Sequence, residues 1–134
     1  MTQKKEKSEQ FAQGLSVRRD VLGAEYVDKA LAQADEFNGP LQELVTEYCW
    51  GAVWTRPGLS RRDRSLLNLA MLTALNRPHE VKIHLKGALR NGCTREEIRE
   101  ALLQAAIYCG VPAAVDSFRL AREVFAVEDA EKKG

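Results

Sequence analysis

The sequence predicts an all-α chain, a compact bundle of about six or seven helices. Three observations carry that expectation. Apolar residues recur at intervals of three and four along most of the chain, glycines and prolines fall between the periodic segments, and no stretch alternates apolar with polar residues as a half-buried strand would.

Taken in order, residues 1–14 (MTQKKEKSEQFAQG) are mostly charged or polar and are expected to fray, with Phe11, Leu15 and Val17 available to dock a short first helix. Gly23 closes that segment. Over 24–37, Tyr26, Val27, Ala30, Leu31 and Ala34 form an amphipathic stripe, which Asn38-Gly39-Pro40 interrupts. Over 41–55, Leu41, Leu44, Val45, Tyr48, Cys49, Ala52 and Val53 read as a further α-helix, ended by Arg56-Pro57-Gly58. Ser60 followed by Asp63 resembles a capping box and opens 61–75, whose second half, LLNLAMLTAL, is apolar almost all round and belongs at the centre of the fold. Pro78 suits the first turn of a helix to residue 91, with Gly92 as its left-handed end. Thr94 and Glu97 form a second capping box ahead of 95–109, and Gly110 stops that helix. Pro112 begins a last helix to about residue 127, leaving EDAEKKG as a charged tail.

The expected organisation is a polar segment (1–14), one helical domain (15–127) and a charged tail (128–134). The helices 61–75 and 95–109 are too apolar for so small a domain to cover fully, which points to a subunit interface.

Composition excludes several classes. Twenty basic against nineteen acidic residues give a net charge of +1, so no global field draws the chain to nucleic acid or to an anionic membrane. No apolar run approaches the roughly 20 residues of a membrane span, and the N-terminus lacks the apolar stretch of a signal peptide, so a cytoplasmic location is expected. Cys49, Cys93 and Cys109 are odd in number and far apart, which reads as three reduced thiols used as small apolar residues.

The chain resembles the carboxymuconolactone decarboxylase family at Glu47-Tyr48-Cys49-Trp50-Gly51, at Arg56-Pro57-Gly58-Leu59 and at Arg62-Asp63-Arg64-Ser65-Leu66-Leu67. The likeness continues through Asn76-Arg77-Pro78-His79-Glu80, His84 and Gly87-Ala88-Leu89-Arg90-Asn91-Gly92. It runs on through Thr94-Arg95-Glu96-Glu97-Ile98-Arg99-Glu100 to Ala106-Ile107-Tyr108-Cys109-Gly110-Val111-Pro112-Ala113-Ala114, covering nearly all of 15–125. Alkylhydroperoxidase-D-like thiol enzymes share that superfamily's helical fold and carry CxxC followed, after three intervening residues, by a histidine. Here the histidine matches His84 but the cysteine positions hold Arg77 and Glu80, so neither a thiolate nucleophile nor a resolving sulfur is available there. The resemblance implies the alkylhydroperoxidase-D-like fold and a homo-oligomer, a hexamer or a trimer. It also implies decarboxylation of a lactone dicarboxylate, 4-carboxymuconolactone, to 3-oxoadipate enol-lactone.

That reaction can send the electrons of the departing carboxylate into the lactone carbonyl, so it needs no cofactor. It needs cations for the retained carboxylate, a donor for the developing oxyanion and an acid to protonate carbon. His84 is the first candidate: a group titrating near neutrality that donates a proton or hydrogen-bonds the lactone oxygen, with Glu80 four residues earlier to orient the ring. A satisfied core or surface histidine is the plainer alternative. His79 lies about 140° away around the helix, so the two histidines form no i, i+4 metal pair, and no metal centre is expected.

Glu47, Trp50 and Trp54 fall on one face of an α-helix with Tyr48 beside them. That arrangement reads either as a carboxylate raised by flanking indoles or as an aromatic core stripe with a surface glutamate. Arg56, Arg61, Arg62 and Arg64 flank the turn before 61–75. Arg64, which matches the family's Arg-Ser-Leu run, is the preferred carboxylate ligand and Arg77 the reserve, against the plainer reading of solvated surface charges. Rival functions are a paralogous decarboxylase or isomerase on another small lactone or keto acid, a thiol oxidoreductase and a non-catalytic binding module.

Overall fold

A computed structural model describes residues 7–133. Among them are seven α-helices, one π-helix and no strand. Contacts group the chain into two compact units, Met1–Leu59 and Ser60–Gly134, where the sequence reading drew one domain over 15–127.

In the first unit, α1 (Glu9–Leu22) starts at Ser8, whose hydroxyl accepts from the Phe11 amide at 3.0 Å. Residues 1–6 of the expected frayed segment lie outside the described residues, but Glu9 to Gly14 are helical and Gly14 is buried. After α2 (Ala24–Ala32) the chain leaves the helix earlier than the apolar stripe suggested. Asp35 Oδ1 accepts from the amides of Phe37 and Asn38, and Asn38 Oδ1 accepts from the Asp35 amide, so side chains satisfy the backbone in place of a further helical turn.

A short α3 (Gly39–Leu44) then runs into a π-helix, Val45–Val53. The sequence reading placed ordinary α-helix here, because an apolar stripe does not distinguish i→i+4 from i→i+5 winding. The π-helix ends with the Trp54 amide donating five residues back to the Cys49 carbonyl at 3.1 Å. It packs on α1 so closely at Gly14 and Gly51 that neither position has room for a side chain. A Cβ on Gly14 would lie 2.1 Å from the Thr46 carbonyl oxygen, and one on Gly51 2.4 Å from that of Gln10.

In the second unit, α4 (Arg61–Ala74) packs against α5 (Pro78–Arg90), α6 (Arg95–Cys109) and α7 (Val111–Lys133). The position expected for 61–75 is therefore observed. Leu69 is fully buried among Val81, Leu85, Ile98, Leu102 and Leu120. Among these apolar contacts, Thr73 and Ser117 hydrogen-bond across α4 and α7 at 2.7 Å, which satisfies two buried hydroxyls.

The turns follow the chemistry read from sequence. Ser60 caps α4, and Thr94 with Glu97 forms a complete capping box on α6. Gly92 (φ 87°) ends α5, with its own amide bonded to Leu89 and the Cys93 amide to Ala88. Asn76 (φ 60°) does the same for α4, where the Arg77 amide reaches the Leu72 carbonyl at 2.9 Å.

Several expectations are corrected. The charged tail is helical as far as Lys133, and Arg95 pairs with Glu128 and Asp129 at 2.7 Å each while lying over the Phe125 ring. Arg62 pairs with Glu97, tying the start of α4 to that of α6. Of the three thiols, Cys93 fills the core, but Cys49 and Cys109 are exposed rather than apolar filling. No described helix is long and apolar enough to cross a membrane.

The glycine contact makes a direct prediction. Gly14→Ala or Gly51→Ala forces backbone apart and is expected to cost about 3 kcal/mol or more in urea unfolding. Gly39→Ala, where an added Cβ meets nothing within 4 Å, stays within about 0.5 kcal/mol of the parent. Equal unfolding midpoints for the Gly51 and Gly39 variants would contradict the close approach.

Candidate active site

In the second unit, His84 sits midway along α5, between the partly buried Ile83 and the fully buried Leu85. The register that turns Val81, Leu85 and Ala88 into the core leaves the imidazole at the core's edge. Burial lowers its pKa to about 4, and the Glu80 carboxylate one turn earlier offsets that only in part. The sequence reading gave it a group titrating near neutrality. In the folded chain it is a neutral imidazole at pH 7, with one N–H to donate and one nitrogen to accept. Desolvation, which sequence does not report, makes the difference.

The arginines divide by what the fold does with them. Arg62 is taken up by Glu97, whose carboxyl is held down at about 2 by that guanidinium and by the Thr94 amide. Arg64 lies half-buried in the first turn of α4, where the helix dipole also favours an anion. The Arg61 carbonyl and the Ser65 hydroxyl beside it accept from Asn91 Nδ2, at 3.3 and 2.9 Å, so the start of α4 lies against the end of α5. Asn91 is seven residues, about 10 Å of helix, beyond His84. Arg77 is exposed past the other end of α4, about 15 Å or more along that helix from Arg64, so the structure does not bring these two cations together. His79 and Glu80 are exposed in the first turn of α5.

In the first unit, Glu47 is half-buried on the π-helix. Its Oε1 accepts from the Ser8 hydroxyl at 2.7 Å, and its carbonyl accepts from Gln10 Nε2 at 2.9 Å. Ser8 thus caps α1 and holds Glu47 with one hydroxyl. Trp50 and Trp54 are buried and stacked on each other, with ring centroids 4.7 Å apart and planes 22° from parallel. The 47, 50, 54 face drawn on an α-helix does not transfer to π winding, in which residues four and five apart are the neighbours. Tyr48 is exposed, and Arg56 is exposed just past the end of the π-helix.

Sequence reasoning missed Ser8 and Gln10 as partners of Glu47, because no local pattern links positions nearly forty residues apart. It also missed Arg18, although a signal was present: with Gly14, Val17 and Val21 it falls on the buried stripe of α1.

Comparison with known proteins completes the picture. Residues 39–123 match the profile of the carboxymuconolactone decarboxylase family. Over 124 residues the chain is 46% identical to a nitrosuccinic acid decarboxylase of Metarhizium robertsii, covering 92% of this chain and 85% of that one. It is 40% identical over 117 residues to a 4-carboxymuconolactone decarboxylase of Acinetobacter baylyi, covering 87% of each. An uncharacterised 15.0 kDa protein of Paracoccus denitrificans is 33% identical over 90 residues, 65% of this chain and 66% of that one. The helical architecture with no described strand, and a profile match over well more than half the chain, place this protein in the carboxymuconolactone decarboxylase family, with its alkylhydroperoxidase-D-like all-α fold.

Proposed function

We propose that the chain is a carboxy-lyase that removes one carboxylate from a small dicarboxylic acid, with 4-carboxymuconolactone as the first substrate reading. The observation that carries it is His84, a desolvated, neutral imidazole on the helix that follows the family's Asn76-Arg77-Pro78 turn. When the carboxylate leaves the lactone, its electrons pass through the ring double bond to the carbonyl, and negative charge collects on that oxygen. A neutral N–H held in a poorly solvated position stabilises such an oxyanion without giving up its own proton. Arg64 is the cation for the retained carboxylate. Glu47, held by the Ser8 hydroxyl in the first unit, is a separate candidate for proton transfer.

A second substrate reading has its own support, the 46% identity to the nitrosuccinic acid decarboxylase. In nitrosuccinic acid the departing carboxylate sits on the carbon bearing the nitro group, so its electrons go to the nitro oxygens as a nitronate. The demand on the protein is the same: a donor for a developing oxyanion and a cation for the remaining carboxylate. Measuring carbon dioxide release from each acid decides between them, and turnover of neither would reject the carboxy-lyase.

We also propose a homo-oligomer. Leu67, Met71 and Leu75 recur every fourth residue on α4 at 48%, 51% and 64% exposure, and Ile107 and Tyr108 at the end of α6 are about four-fifths exposed. Met71→Glu is expected to lower the sedimenting mass. A native protein that sediments at 15.0 kDa would reject the assembly.

Two further outcomes follow from the state of His84. His84→Ala is expected to reduce kcat by about a hundredfold or more, and His84→Gln, which keeps an N–H donor, to recover part of that loss. An inflection in kcat/KM near pH 6.5 that disappears in the glutamine variant would mean that the imidazole titrates as an ordinary acid. Because its folded pKa lies below the unfolded value of 6.5, the unfolded chain binds the extra proton between the two values. Stability is therefore full above about pH 6.5 and falls as pH drops towards about 4, by as much as about 3 kcal/mol. His84→Gln flattens that part of the stability profile if the assignment is right.

A further inference from the structure

Along α1, residues 14, 17, 18 and 21 share the face that packs into the first unit, and all four are buried. Three are glycine or valine. The fourth, Arg18, is only 6% exposed. A guanidinium stays charged at any ordinary pH, and a charge out of water is costly unless a counter-charge meets it.

Among the described residues, Arg18 has hydrogen-bond partners but no anion. Its Nη1 donates to Gln42 Oε1 at 3.0 Å and to Thr46 Oγ1 at 3.1 Å, both neutral acceptors. Its Nε is buried and has no acceptor among the described residues. Nearby acids of this unit are engaged elsewhere: Asp28 with Arg19, Glu43 with Lys7 and Glu47 with Ser8. The titratable groups its charge reaches are Tyr26 on α2 and Cys49 on the π-helix. Burial pushes the Cys49 thiol up, so it is no thiolate counter-ion at neutral pH. Tyr26 and Cys49 each reach the surface of this unit.

With Nη1 occupied, the edge that remains is Nε with Nη2. Two parallel N–H groups on that edge match the two oxygens of one carboxylate. We propose that Arg18 is an anion-binding residue whose Nε and Nη2 edge receives a carboxylate of a small organic acid, with Gln42 and Thr46 holding the guanidinium by its other end. This anion site is independent of the carboxy-lyase reading.

The test uses the full chain and two probes, succinate and inorganic phosphate. Titration is followed by the Arg18 Nε–H resonance in nitrogen-15 correlated spectra and by thermal unfolding. Succinate is expected to move that resonance saturably and to raise Tm, and Arg18→Gln to weaken succinate binding about tenfold or more. An Arg18 resonance indifferent to succinate, phosphate binding without succinate binding, or unchanged affinity in the glutamine variant would each overturn the site. If the glutamine variant fails to fold, the resonance of the native protein decides alone. Succinate binding without turnover of either candidate substrate would leave the anion site standing and remove the carboxy-lyase.

Discussion

A chain built from helices joined by turns of a few residues has to satisfy the unpaired amides and carbonyls at every helix end, and both units of this protein depend on how it does so. Ser8, Ser60 and Thr94 each accept from an amide two or three residues into the following helix. At the other ends, Asn76 and Gly92 adopt left-handed backbone, so that the next two amides fold back onto the helix just finished. The turn at Asn76 has the widest effect. It stops α4 and sets α5 off at Pro78, fixing the register that puts Val81, Leu85 and Ala88 in the core and His84 at its edge. Without that turn, the imidazole would not sit where burial keeps it neutral.

The same economy sorts the charged residues. Arg62 with Glu97 and Arg95 with Glu128 and Asp129 hold helix ends together; Arg56, Arg61, Arg64 and Arg77 are the other cations that the sequence nominated for a carboxylate. Arg64 is favoured among them by its place at the start of α4, and Arg77 lies past the opposite end. In the first unit the constraint is spatial. Gly14 and Gly51 let two backbones touch, and that contact accompanies the π winding that carries Glu47, the stacked tryptophans and the Thr46 hydroxyl that meets Arg18. Membership of a decarboxylase family fits a protein whose candidate residues are an imidazole, carboxylates and guanidinium groups. Two of its relatives are named as decarboxylases of acids that differ much, a nitro compound and a lactone.

Much of this was legible in one dimension. Helix type, the two capping chemistries, the left-handed Gly92, the central place of 61–75 and the family itself all follow from local spacing and motifs, because helix propensity, caps and apolar periodicity act over a few residues. Residue identity nominated His84, Glu47 and Arg64 as candidates for the chemistry. What only the tertiary structure decided involves partners distant in sequence. The π winding of Val45–Val53, the pairing of Arg62 and Arg95, the hold of Ser8 on Glu47, the neutral state of His84 and the buried charge of Arg18 each depend on which side chains are brought near and how much water is removed. Spacing along the chain encodes neither distance across the fold nor local dielectric, and those two quantities set the protonation and the pairing of every candidate group here.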